Sequence, residues 1–323
     1  MRGITSIPNI KVGHSTHPKE STGCTVVLCG NGAIAGVDIR GSAPGTRETE
    51  LLRPGFMIRQ IHGIVLTGGS AFGLRTADGV MQYLSEHGIG YDARGITVPI
   101  VPAAVIFDLR KGRNTDFPTR EMGYQACQNA AKDFEEGPVG AGKGATVGKI
   151  LGIEHCMKGG VGSSSIEITR GVKVGALAVV NALGDVIDPT NGGIIAGARK
   201  PDGSGFADTI KHLMENGFPG KSPVGNTTLA VVATNAAFTK EEINKIAQMA
   251  QNGISRTIRP VHTMHDGDIV FSLSTGKLKS DVNVVGEVAA QMVSRAIVRA
   301  VRISNSPSKN MAKFEMLISS SST

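Results

Sequence analysis

Tryptophan is absent from this 323-residue chain, and tyrosine occurs only three times. Cysteine is also sparse: Cys24, Cys29, Cys127 and Cys156 are too few to frame a fold of this length and read as buried thiols rather than disulfides. Cys24 and Cys29 are separated by four residues and have no second pair, so no zinc pattern forms. No apolar run approaches the ~20 residues that cross a bilayer. Met1-Arg2-Gly3-Ile4 opens a mixed, turn-rich segment without the apolar stretch of a signal peptide. These absences predict a soluble, cytoplasmic protein with no membrane partner. The net charge of +7 is scattered as Lys and Arg among Asp and Glu, with no basic stripe interleaved with aromatics, so no nucleic-acid partner is expected.

What is abundant is glycine, 43 residues without a fixed period, as expected of a turn-rich fold with close backbone approaches. The length is sufficient to bury a substantial core. Short Val-rich segments, Cys24 to Cys29, Gly63 to Thr67 and Val174 to Val180, read as strands with at least one buried face. Helix-sized segments alternate with them. Ala71 to His87 places Leu74, Ala77, Met81 and Leu84 at helical spacing, and Gly88 ends it. A second helix is expected from about Arg120 to Phe134. Thr239-Lys240-Glu241-Glu242 fits a capping box that opens a third, with Ile243, Ile246 and Met249 inward, before Asn252-Gly253. Asp281 to Val301 reads as a long fourth helix, followed by a polar tail whose Ser-rich end is expected to fray. This mixture favours helices layered on sheet.

The interval from Asp185 to Gly225 has little periodicity and many Gly, Pro, Asn and Asp, and reads as a long surface excursion. It ends abruptly at Asn226-Thr227, at the mouth of the apolar run Leu229-Ala230-Val231-Val232-Ala233. A Thr hydroxyl aimed at the preceding carbonyl can attack it, convert amide to ester and, after hydrolysis, become a new amino-terminal residue. That residue carries its own base, because a free α-amine with a pKa near ~8 can take the hydroxyl proton. The same string is also an ordinary turn leading into a strand.

Three further segments carry candidate chemistry. Gly140 to Lys149 is Gly-rich but fails the phosphate-loop pattern, since Lys143 stands five before Gly148 and Ile150 follows Lys149. What remains is a backbone able to approach a ligand closely, with Lys149 as a cation. His262 and His265 lie beside carboxylates, but Asp266-Gly267-Asp268 and the following Ile269-Val270-Phe271 point to a turn entering a strand rather than to a metal site. Asp266 and Asp268 point to one side if extended. Two carboxylates so close raise one pKa unless a cation such as an amino-terminal ammonium sits between them, and a solvated turn is the plain alternative.

Taken together, these residues resemble the DmpA-like P1 peptidase family of self-cleaving N-terminal nucleophile hydrolases, which includes β-peptidyl aminopeptidases and nylon-oligomer amidases. The likeness covers about residues 1 to 303 in order. It runs through Ile10-Lys11-Val12-Gly13-His14, Gly41-Ser42-Ala43-Pro44-Gly45-Thr46-Arg47-Glu48, and Leu66-Thr67-Gly68-Gly69-Ser70-Ala71-Phe72-Gly73-Leu74. Val98 to Leu109, Gly140 to Lys149, Gly225 to Asn235 and Asp266-Gly267-Asp268 complete it.

The resemblance implies an α/β fold, a four-layer αββα sandwich, forming a single catalytic domain over residues 1–323. It implies self-cleavage between Asn226 and Thr227 into a large chain, 1–226, and a small chain, 227–323, assembled as a homotetramer. Thr227 would be the nucleophile, Asp266 and Asp268 would hold its hydroxyl and amine, Asn181 would donate to the oxyanion, and Lys149 would lie near the nucleophile. Phe107 stands where several members have a Tyr, which puts a donor role for that ring in doubt. No metal or organic cofactor is called for. The implied activity is hydrolysis of a short peptide, a β-peptide or a 6-aminohexanoate oligomer through a Thr227 acyl-enzyme. The alternatives are an acyltransferase of the ornithine acetyltransferase type and a non-catalytic small-molecule-binding protein.

Overall fold

Alternate residues of the Val-rich strands enter different cores, which is why the runs are continuously apolar. The computed structural model describes residues 3–19, 21–109, 116–218 and 225–306. Its principal strands are β1 (Lys11–Thr16), β2 (Gly23–Ile39), β3 (Thr46–Arg47), β4 (Gln60–Thr67), β5 (Ala103–Val105), β6 (Gly160–Glu167), β7 (Lys173–Asn181), β8 (Thr227–Ala236) and β9 (Ile269–Leu278). They pair in the order β6-β7-β8-β9-β2-β4-β5-β3, with β1 also on β2. The helices are α1 (Thr76–Glu86), α2 (Arg120–Gln128), α3 (Thr209–Asn216), α4 (Lys240–Ser255) and α5 (Val282–Asn305).

The long strand β2 serves both halves of the sheet. Residues 24–28 pair with β1 and β4, whereas residues 34–39 pair with β9. Three cores then define four layers. One packs α1 and α2 (Ala77, Val80, Leu84, Met122) against Cys24, Val26 and Val65. The middle one joins Val27, Ile64 and Leu66 from the first half to Leu177, Val179, Leu229, Val231 and Phe271 from the second. The last places Ala176, Ala178, Ala230 and Val232 under Ile243, Ile246, Ala289 and Val293 of α4 and α5. The helix–sheet–sheet–helix arrangement implied by the family resemblance is present. Burial pushes the Cys24 and Cys29 thiols up to about 12, in keeping with inert core residues.

Several boundaries differ from the sequence reading, each for a visible reason. The first helix begins as a 3-10 turn, Ser70–Arg75, before α1. The second stops at Gln128 rather than Phe134 because Ala131 exchanges both backbone hydrogen bonds with Val12. The capping box at Thr239 is formed, with Glu242 reciprocating, but α4 continues past Asn252-Gly253. Gly253 does not end the helix there; a Cβ on it would stand 2.1 Å from the Ala290 carbonyl oxygen, so the glycine admits α5. Asp281 caps α5, which extends to Asn305, and residues 307–323, expected to fray, lie outside the described residues. The 185–225 excursion is not structureless: it holds paired strands Asp185–Ile187 and Ile194–Ala196 and helix α3. Buried Asp185 ties it together by accepting from Ala198 N–H at 3.0 Å and Thr209 N–H at 2.6 Å. Among the described residues, no helix is long and apolar enough to cross a membrane.

Candidate active site

Three strand ends converge on the residues singled out in the sequence. β7 ends on Asn181 and β8 begins on Thr227; the strands are antiparallel, with these two residues directly opposite. β9 lies parallel to β8 on its other side and starts at Ile269, so Asp266-Gly267-Asp268 enters the same corner, with Asn226 bridged to Asp266. The Gly-rich segment follows the turn after β7, since Lys149 N–H donates to Leu183 O at 2.9 Å and Gly148 N–H to Gly184 O at 3.1 Å. Lys149, Asn181, Asn226, Thr227, Asp266 and Asp268 are all buried.

At the centre, the Thr227 hydroxyl donates to the carbonyl oxygen of Asn226. The Gly267 N–H donates to that same oxygen at 2.9 Å. An attack by the hydroxyl on this carbonyl would therefore place developing negative charge against a backbone donor already in position. Sequence reasoning had no signal for Gly267 N–H, because only the strand register brings it to Asn226.

The two carboxylates are held by different partners. Asp268 accepts from Thr228 N–H at 2.6 Å through Oδ1, while its Oδ2 accepts from His262 N–H at 3.1 Å and lies 2.9 Å from His262 Nδ1. Asp266 accepts from Thr263 N–H at 2.8 Å and from the Thr263 hydroxyl. Burial raises the Asp266 carboxyl above the ordinary aspartate range and Asp268 raises it further, against the Thr263 hydrogen bonds and the charge of Lys149. His262 is thus an Asp268 partner. The adjacent His265 ring instead faces Phe218, with centroids 5.3 Å apart. Among the described residues, no group of three or more His, Cys, Asp or Glu could hold a metal.

Lys149 and Asn181 act as a pair. Lys149 Nζ donates to Asn181 Oδ1 at 2.9 Å, to Asn181 O at 3.0 Å and to Gly225 O at 3.1 Å. Thr146 N–H also donates to Asn181 Oδ1, at 3.0 Å, which orients Nδ2 towards Phe107 O at 3.0 Å and Gly225 O at 3.1 Å. In the unbroken chain the Asn181 amide therefore sits on the carbonyl one unit before the Asn226 carbonyl. Phe107 contributes its backbone oxygen here, and its ring lies over Gly225.

Residues 2–311 match Peptidase family S58. The chain belongs to that family and is a hydrolase. It is 42% identical to an uncharacterized aminopeptidase of Mycobacterium leprae, over 93% of this chain and 90% of that one. It is 27% identical to the 6-aminohexanoate-oligomer endohydrolase of Kocuria sp., over 91% of this chain and 84% of that one. The L-aminopeptidase D-Ala-esterase/amidase of Ochrobactrum anthropi, a variant of the Ntn hydrolase fold, superposes with a TM-score of 0.68 at 19% identity, over 93% of this chain and 85% of that one. The fold is of that type.

Proposed function

We propose that this chain is a self-processing amidohydrolase that cuts its own Asn226-Thr227 bond and then hydrolyses amides through an acyl-enzyme on Thr227 Oγ. The single observation that carries the reading is the buried Thr227 hydroxyl resting on the Asn226 carbonyl oxygen. In maturation, Oγ adds to the Asn226 carbonyl carbon, the C–N bond breaks, and the hydroxyl proton passes to the departing nitrogen. An ester joins Asn226 to Oγ. Water then adds to the ester carbon and the C–Oγ bond breaks, so Asn226 leaves as a carboxylic acid and Thr227 keeps a hydroxyl and a free α-amine.

That amine is the base of turnover: it takes the Oγ proton as Oγ attacks a substrate amide and returns it to the leaving nitrogen. Asn181 Nδ2, released from Gly225 O, donates to the oxyanion. Asp266 and Asp268 orient the amine and hydroxyl, and Lys149 supplies positive charge beside them. The substrate is a short peptide, a β-peptide or a 6-aminohexanoate oligomer, a range supported by relatives named both as aminopeptidase and as oligomer endohydrolase. The mature form in this reading is one catalytic domain of two chains, assembled as a cytoplasmic homotetramer on the likeness to the family. Denaturing electrophoresis with sequencing of the small fragment tests the reading: Thr227 as its first residue supports it, and an active protein migrating as one unbroken chain rejects it.

A further inference from the structure

The maturation ester is itself an acyl-enzyme on Thr227 Oγ, so the residues leading into Asn226 mark the path an acyl group takes through this site. Two contacts define that path. The Gly225 carbonyl oxygen accepts from Lys149 Nζ and from Asn181 Nδ2, each at 3.1 Å. The Gly225 α-carbon lies under the Phe107 ring, where an added Cβ would stand 2.1 Å from Cδ1 and 2.3 Å from Cγ.

We infer that the mature site cuts inside linear chains: it takes an acyl residue whose own nitrogen is acylated and whose upstream carbonyl is followed by an unbranched methylene, in preference to a residue with a free ammonium. The inference rests on the self-cleavage reading and narrows its substrate class. A free amino terminus would put a positive charge where the Asn226 nitrogen lies, one bond from the carbonyl carbon whose oxygen Lys149 holds. Like charges then meet in a buried site, and the upstream carbonyl that Lys149 Nζ holds, once Asn181 Nδ2 has turned to the oxyanion, is missing. Asp266 and Asp268 do not reverse the preference, because Thr263, Thr228 and His262 already engage them and the mature Thr227 amine lies beside them. A branched residue upstream would collide with Phe107. Glycyl units and methylene chains pass.

The test uses mature wild-type enzyme whose small chain has first been sequenced, with acetyl-Gly-Asn-p-nitroanilide, acetyl-Val-Asn-p-nitroanilide and Asn-p-nitroanilide as matched substrates. The acetylglycyl compound should show a kcat/KM at least about tenfold above each of the other two, the size of a charge or shape mismatch of about 1.4 kcal/mol. Phe107→Ala should bring the valyl and glycyl compounds closer to equality while leaving the free-amine compound disfavoured. Hydrolysis of the free-amine compound as fast as the acetylglycyl one, or equal rates for valyl and glycyl in the wild type, would overturn the inference. A small chain that does not begin at Thr227 would count against the self-cleavage reading itself.

Discussion

The carbonyl oxygen of Asn226 accepts two hydrogen bonds, one from the Thr227 hydroxyl that follows it and one from the Gly267 N–H of the neighbouring strand entry. In the proposed mechanism the nucleophile and the donor for the charge it generates therefore meet on one atom, before any substrate arrives. Asn181 is not part of that pair; its amide serves Gly225 O.

The separation predicts different consequences for maturation and turnover. Asn181→Ala should lower kcat by about 10²–10³, the value of one oxyanion donor, while fragments 1–226 and 227–323 still accumulate. Parallel time courses of chain cleavage and amide hydrolysis check this, and equal losses in both would place Asn181 on the Asn226 carbonyl instead.

Gly267 has a steric as well as a donor role. A Cβ there would stand 2.8 Å from Thr227 Oγ and 2.9 Å from Ala43 O. Gly267→Ala should slow self-cleavage by about 10²-fold, because a small misplacement of a reacting group has effects of that size. Pulse-labelled protein followed on denaturing gels gives the rate; unchanged processing would contradict the placement.

His262 holds Asp268 with both its backbone N–H and its ring, and its φ of +57° suits Gly or Asn better than a branched residue. His262→Gly should reduce kcat about tenfold with little change in KM, as for one lost hydrogen bond to a charged group. His262→Asn, which restores a donor on the same backbone, should recover most of it. Wild-type activity in His262→Gly would show that the imidazole does not position Asp268.

Asp266 gives a signed pH effect. Its carboxyl holds its proton to higher pH in the folded chain than in the unfolded one, so above the ordinary aspartate range the native state binds more protons. Stability conferred by that proton is complete below the unfolded value and is lost as pH rises through the folded one. Urea unfolding of the uncleaved Thr227→Ala protein should therefore show a steeper loss with rising pH than Thr227→Ala with Asp266→Asn. Burial also raises Asp108, Glu136 and Asp185, so the difference between the two proteins is the quantity to read. Identical slopes would mean Asp266 titrates as it does in the unfolded chain.

The strands were legible in the sequence because their signals are local, whereas the candidate site residues came from the resemblance of ordered motifs. Continuous apolar runs marked strands with at least one buried face, Thr239-Lys240-Glu241-Glu242 marked a helix start, and Asn226-Thr227 stood where loop changed to strand. What escaped was long-range. Gly253 reads as a helix stop until α5 is seen against it, and Asp185 reads as a loop residue until its two backbone donors are known. His262 reads only as part of a turn entering a strand, because nothing local ties it to Asp268. The cover of Phe107 over Gly225 spans more than a hundred residues of sequence and has no signature in either segment.

The most direct test compares intact masses, under denaturing conditions, of purified wild type, Thr227→Ser and Thr227→Ala, alongside their amide hydrolysis. The account predicts two chains split between residues 226 and 227 in wild type and Thr227→Ser, both active, and a single inactive chain for Thr227→Ala. An active wild-type protein with the mass of one continuous chain would contradict it.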